Sequence, residues 1–244
     1  MRFGRAGAGI ALMVLLGAAA LTSGCEKVSD AAFEGKVRRY LLRHPEVIEE
    51  AVNQLNSNRA KAETEKARAA ISRHRNAIER DPRDFVMNPT GKITVTEFYD
   101  YNCTYCKAAA PQVLALIREN PDVRFVFKEF PIFGGDSDKA SALALAARDQ
   151  GKSLTLYREF FSAPTHLDQP GMERILAAAG LNVAQMEERA GSPAIKTHLE
   201  DTRALAEAIG VVGTPNFVVG DGLYPGASLD ALRRAIMEAR QKKS

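Results

Sequence analysis

Ile93-Thr94-Val95-Thr96-Glu97-Phe98-Tyr99-Asp100-Tyr101-Asn102-Cys103-Thr104-Tyr105-Cys106-Lys107 is the stretch that decides the fold. Its first half, Ile93 to Tyr99, is rich in β-branched and aromatic residues and reads as a strand. From Cys103 to residue 118 the spacing is helical, and residues 123–130 read as a second strand. Strand, crossover helix and strand over roughly forty residues predict a parallel pair. Cys103 falls at the strand-to-helix junction, where unpaired helix N–H groups favour a thiolate. That makes Cys103 the nucleophile and Cys106, one turn deeper, the more buried resolving thiol.

Downstream, residues 139–149, 154–161, 172–179, 184–190 and 194–209 carry helical patterns separated by Gly, Pro and Asn, and predict a helical insertion at about 136–209. Residues 216–219 read as a third strand, Asp221-Gly222 as a tight hairpin turn, and Leu223-Tyr224 as the start of a fourth strand. Ser228 is the expected cap of a final helix reaching about residue 240.

Upstream, residues 29–79 show no strand alternation. Phe33, Val37, Tyr40, Leu41, Val47, Ile48, Ala51, Val52 and Leu55 form one broad stripe, broken at His44-Pro45. Residues 56–79 are mostly Ala, Lys, Arg and Glu, so that helix has little to bury and reads as a solvated stalk or part of an oligomer. Asp81-Pro82-Arg83-Asp84 and Asn88-Pro89-Thr90-Gly91 are dense in turn formers and predict a domain boundary, giving segments 25–80 and 81–244.

Arg2 and Arg5 precede an apolar run that ends in small residues, the layout of a secretory signal over 1–24. The run is short for a membrane span. Leu21-Thr22-Ser23-Gly24-Cys25 resembles a bacterial lipobox, which leaves two expectations open: lipidation at Cys25, or ordinary cleavage. A formal charge of +3, part of it in the leader, does not indicate a nucleic-acid surface. Outside the cytosol thiols tend to be oxidised, yet the chain has only 3 cysteines. A bridge between Cys103 and Cys106 closes a ring too small to gain much chain entropy, so its purpose is chemical. Zinc uses the same C-x-x-C spacing but needs four ligands, and His44, His74, His166 and His198 are scattered; no metal site is expected.

Taken with Glu97, Pro111 and Gly213-Thr214-Pro215, the C-x-x-C pair resembles thioredoxin-like oxidoreductases, and in particular the DsbA family. From about residue 89 to the C-terminus the chain follows the DsbA plan, helical insertion included. The resemblance implies an α/β, thioredoxin-like fold with a helical insertion, preceded by an N-terminal helical segment. Glu97 stands six positions before Cys103, where the family carries a buried acid. Strand alternation can point it under the helix toward Cys106, where a desolvated carboxyl takes and returns a proton. Pro111 falls where thioredoxins kink the active-site helix. Gly213-Thr214-Pro215 matches the cis-proline loop set opposite the cysteines; the backbone of Thr214 would pair with an extended substrate. Val37 to Ile48 and the site sequence Tyr101 to Lys107 are similar to the ScsC group, known from copper-tolerance operons, with Thr104 departing from the more usual Pro or Asn.

The resemblance implies a thiol:disulfide oxidoreductase with no cofactor beyond the Cys103–Cys106 disulfide. The expected partners are cysteine-containing exported proteins, a membrane redox partner that recycles the thiols, and a second copy of the chain through residues 29–80. The expected location is the periplasm, with or without an anchor at Cys25. Thr104 and Tyr105 tune the direction of exchange. Tyr105 and Thr214 resemble the isomerase-like branch. The alternative class is a Cu(I)-binding protein that uses the same two thiols.

Overall fold

The computed structural model describes residues 30–163, 166–227 and 229–242. The expected leader, Cys25 and the expected cap Ser228 lie outside the described residues. Two compact units divide the chain, one up to Asn58 and one from Arg59.

The first unit is helical. Helix α1, Asp30–Arg43, stops where Pro45 disfavours helix in His44, and α2, Glu46–Arg73, begins directly after. No residue of α1 is buried. Phe33, Val37, Tyr40, Ile48, Val52 and Leu55, members of the expected stripe, are all exposed, as is Leu42.

The second unit holds a mixed sheet of β1 (Phe85–Met87), β2 (Ile93–Tyr99), β3 (Val123–Glu129), β4 (Asn216–Val219) and β5 (Gly222–Pro225). Their order is β1-β3-β2-β4-β5. Strands β2 and β3 pair in parallel, joined by helix α4 (Thr104–Glu119); β1, β4 and β5 join antiparallel. Every residue of β2 and β3 is buried, as central strands covered on both faces require. The expected insertion appears as α5 (Asp136–Ala146), α6 (Ser153–Phe161), α7 (Gln169–Ala178), α8 (Val183–Ala190) and α9 (Pro193–Ile209), and α10 (Asp230–Gln241) ends the fold.

Strand alternation sorts the core into two layers. Val95, Tyr99, Phe125, Phe127, Phe217 and Val219 face α4, α6 and α10. Phe98 and Val218 face the other way, against Leu205, Ala206 and Ile209 of α9 and Ala70 and Ile71 of α2. Ile78 of α3 (Arg75–Glu79) joins that second layer, and its carbonyl accepts from Thr96 Oγ1 at 3.2 Å.

Three expectations change. Only the last part of the expected stalk, 56–79, is packed: Ala70, Ile71 and Ile78 are buried in the second core, residues 56–66 are exposed, and the compact second unit begins at Arg59. Three apolar residues are too few to generate a readable period. Phe85-Val86-Met87, within the expected boundary, adds an edge strand to β3, with Phe85 stacked on Phe127 at 4.9 Å. The hairpin loop is Gly220-Asp221, one residue earlier than expected, because Val219 pairs with Gly222 and Gly220 supplies the positive φ of 58° at the first loop position.

Candidate active site

Cys103 is the N-cap residue of α4, with extended backbone at φ −75° and ψ 118°. Its own N–H donates to the Asp100 carbonyl at 3.1 Å, closing the turn that carries the chain from β2 into α4. Asp100 is the buried knot of this turn. Its Oδ1 accepts from Asn102 N at 2.7 Å and Ser137 Oγ at 2.8 Å; its Oδ2 accepts from Ile132 N at 2.8 Å and Phe133 N at 3.3 Å. Asn102 clamps a second segment, accepting from Leu167 N at 2.7 Å and donating to Leu167 O at 3.3 Å. The cysteine turn is therefore held from both α5 and the loop before α7.

Opposite this turn the peptide bond between Thr214 and Pro215 is cis, and the Cys103 thiol donates to the Thr214 carbonyl at 3.2 Å. Cys103 is 4% exposed and Cys106 0%. The Cys103 thiol is pulled from the ordinary range down to about 6. The largest influence is the Cys106 thiol donating to its sulfur; burial opposes, and the Thr214 side chain and the Cys106 and Tyr105 N–H groups add to the pull. Those two N–H groups belong to the uncapped first turn of α4, whose terminus adds the smaller part of the pull. Cys106 moves the other way, held well above the ordinary thiol range by burial and then by the neighbouring Cys103 sulfur.

Glu97 is buried on the face of β2 that looks toward α4 and α6. Burial pushes its carboxyl up to about 8, partly offset by the Tyr157 hydroxyl, which donates to Oε2 at 2.9 Å. Its negative charge raises the Cys106 thiol further, which places the two groups in electrostatic reach. Tyr105 and Thr104, the residues between the cysteines, are exposed in the first turn of α4. Pro111 lies inside the same helix.

The structure thus brings Cys103, Cys106, Glu97, Thr214 and Pro215 together, with Thr104 and Tyr105 at the rim. Sequence reasoning missed Tyr157, Asp100 and Glu129. Glu129 left only a weak signal, a carboxylate at the end of a central strand that also carries Arg124 and Lys128; Asp100 left the equally weak one of an Asp in a strand-to-helix turn. Tyr157 left none. Among the described residues no group of three or more His, Cys, Asp or Glu is arranged to hold a metal ion. His198, far from the thiols in sequence, is buried beside Asp84 at 3.2 Å.

Known proteins show the same architecture. The chain is 38% identical to the crystal structure of a thioredoxin-like oxidoreductase from Silicibacter pomeroyi, with a TM-score of 0.66 over 68% of this chain and 98% of that one. It is 29% identical over 136 residues to the thiol:disulfide interchange protein DsbA of Bordetella pertussis, 53% of this chain and 64% of the relative. It is also 27% identical over 164 residues to the Na(+)/H(+) antiporter NhaA 3 of Salinispora tropica, matching 65% of this chain but spanning only 25% of the antiporter's length. Residues 30–62 match the Copper resistance protein ScsC N-terminal domain, and residues 94–237 match the DSBA-like thioredoxin domain. Because that second match runs from β2 into α10, more than half of the chain, the protein belongs to the DSBA-like thioredoxin domain family.

Proposed function

We propose that this protein is an exported thiol:disulfide oxidoreductase that exchanges disulfides with cysteine-containing exported proteins through Cys103 and Cys106. The observation that carries the reading is the split between the two thiols: one held at about 6 at a helix N-terminus beside a cis proline, the other buried and held high. An ionised outer sulfur attacks; a protonated inner sulfur waits to resolve.

In the oxidised form, a substrate thiolate attacks Cys103 Sγ, forming a mixed disulfide and releasing Cys106. The substrate's second thiolate then attacks its own sulfur in that mixed disulfide, leaving Cys103 as the thiolate and the substrate oxidised. In the reduced form, the Cys103 thiolate opens a substrate disulfide instead. Glu97 holds the proton that Cys106 gains or loses.

Four exposed apolar side chains support a polypeptide substrate. Tyr105 follows Cys103 in α4; Ile132 and Phe133 hang from Asp100 Oδ2; Val212, 95% exposed, stands two residues before Thr214. They come from segments next to the thiol site in chain or hydrogen bonding, and exposed apolar groups of this kind suit an unfolded chain. Tyr105 and Thr214 favour isomerase or reductase chemistry over strong oxidation. The leader over 1–24 supports export to the periplasm, where a membrane redox partner would recycle the thiols, and Cys25 is the site for lipidation if the leader is processed as a lipobox.

The exposed stripe of α1 and the first half of α2 supports self-association through residues 29–80. Light scattering of the chain with and without residues 26–80 tests this: a multiple of the monomer mass is expected only when the segment is present. For the activity, Cys103→Ala should abolish insulin reduction and the shuffling of a scrambled disulfide protein. Full activity without Cys103 would refute the assignment.

A further inference from the structure

The exchange just described uses one buried carboxyl, but this face of the sheet holds two. Glu129 ends β3 in register with Tyr99 of β2, two residues beyond Phe127, the strand partner of Glu97. The two acids therefore stand on the same side of adjacent strands, both buried. Oε1 of Glu129 accepts from the hydroxyls of Tyr99 at 2.5 Å and Tyr101 at 3.0 Å. Tyr101 stands two residues before Cys103, so Glu129 anchors the turn that presents the nucleophile.

The groups around the pair are almost all neutral. Glu97 faces the Tyr157 hydroxyl from α6 and the Cys106 thiol from α4. Glu129 faces Tyr99 and Tyr101 from β2 and its continuation, Ser141 from α5, and the Asp100 carboxylate. The hydrogen-bond donors that reach the two carboxyls are tyrosine hydroxyls. The two sites touch through aromatic rings: Tyr99 meets Tyr157 edge-on, with centroids 5.3 Å apart. The Tyr101 hydroxyl, bonded to Glu129, also feels the charge of Glu97. In a buried layer one carboxylate charge is costly, and two on neighbouring strands cost more.

We infer that Glu97 and Glu129 form a coupled acid pair, in which Glu97 exchanges the proton of Cys106 and Glu129 is a positioning residue that holds Tyr101 and sets how readily Glu97 accepts. In the resolving step Cys106 Sγ bonds to Cys103 Sγ, the Cys103–substrate bond breaks, the substrate leaves as a thiolate, and the Cys106 proton passes to the Glu97 carboxylate. Acceptance requires Glu97 ionised, and it ionises most easily while Glu129 keeps its proton. This deepens the proposed exchange activity and rests on it.

The test follows release of a peptide from its mixed disulfide with Cys103, as a function of pH, in the full chain. Glu129→Gln retains an acceptor oxygen for the two tyrosines but cannot ionise. Coupled acids titrate in two macroscopic steps. The wild-type release rate should therefore rise over two steps, and that of Glu129→Gln over one, at lower pH, with release about tenfold faster at the wild-type foot for each pH unit of displacement. Tyr101→Phe, which cuts the link while keeping the ring, should displace the profile in the same direction. With Glu97→Gln already present, Glu129→Gln should change nothing further. A Glu129→Gln profile that superimposes on wild type, or a displacement equal with and without Glu97, would overturn the inference. Infrared spectra of the reduced protein, which do not depend on exchange, should show two protonated carboxyl bands whose loss with pH is mutually dependent; independent loss would also overturn it. A wild-type protein that releases no peptide would refute the exchange activity instead.

Discussion

The Cys103 sulfur and the carbonyl oxygen of Thr214 lie 3.2 Å apart, although 111 residues separate them in the chain. One belongs to the N-terminus of α4, the other to a cis peptide that leads into β4. Strand pairing accounts for the meeting: β2, which delivers Cys103, lies antiparallel to β4, with Phe98 opposite Asn216. The last residues of one strand and the first of the other must come together at the same edge.

The outer thiol should titrate near 6. Absorbance of the thiolate at 240 nm in the reduced protein, compared with Cys103→Ala, measures this directly. Alkylation of Cys103 should be nearly independent of pH above 7, whereas an ordinary thiol gains reactivity up to about 8.5. Titration in that ordinary range would mean that the Cys106 thiol and the first-turn N–H groups do not stabilise the thiolate.

Glu97→Gln should slow the proton-dependent step of Cys106 by about 10²-fold while leaving the Cys103 titration little changed. Stability supplies a second check. The folded carboxyl is raised by burial from 4.5 to about 8, so the folded state favours the protonated form. Its contribution is therefore intact below 4.5 and is lost as pH rises toward 8. Urea unfolding should show Glu97→Gln gaining stability on wild type across that interval and converging with it at pH 4. A constant difference at all pH values would contradict a buried, raised carboxyl.

Asp100→Ala strips acceptors from Asn102, Ile132, Phe133 and Ser137 at once. Leaving buried donors unpaired costs about 1–3 kcal/mol for each group, with water recovering part where the turn opens. A fall of about 2–4 kcal/mol in unfolding free energy is expected, together with a Cys103 titration moved toward the ordinary thiol range. Unchanged stability would show that the turn is held by other contacts.

Lys128 and Asp84 form an ion pair at 2.6 Å with both side chains almost wholly inaccessible. Lys128→Ala leaves a buried carboxylate without its cation, and a loss of about 3–5 kcal/mol is expected. The double variant Lys128→Met with Asp84→Leu should recover much of that loss, because it removes both desolvated charges. Denaturant midpoints of the three proteins decide between this and a pair that water screens.

Much of this molecule was legible before folding because local rules govern it. β-Branched and aromatic composition locates β2 and the 3.6-residue period locates the helices, and the junction at Cys103 follows from where one gives way to the other. The position of Cys103 at a helix N-terminus was legible for the same reason, since it is set by its immediate neighbours. Thr214 and Pro215 were found by resemblance to a loop, not by any property of the local chain.

What tertiary structure alone decided are the contacts between segments too short or too plain to carry a period. Ile71 and Ile78 look like chance apolar residues in charged helices until β2 turns Phe98 toward them. Phe85-Val86-Met87 is a strand only because the edge of β3 offers it a partner. Tyr157 acquires a role when α6 lays its hydroxyl on Glu97, and Glu129 when Tyr99 and Tyr101 reach it from the neighbouring strand. Burial, which moves both carboxyls so far, belongs to the packed layer around them and is written in no single stretch of sequence.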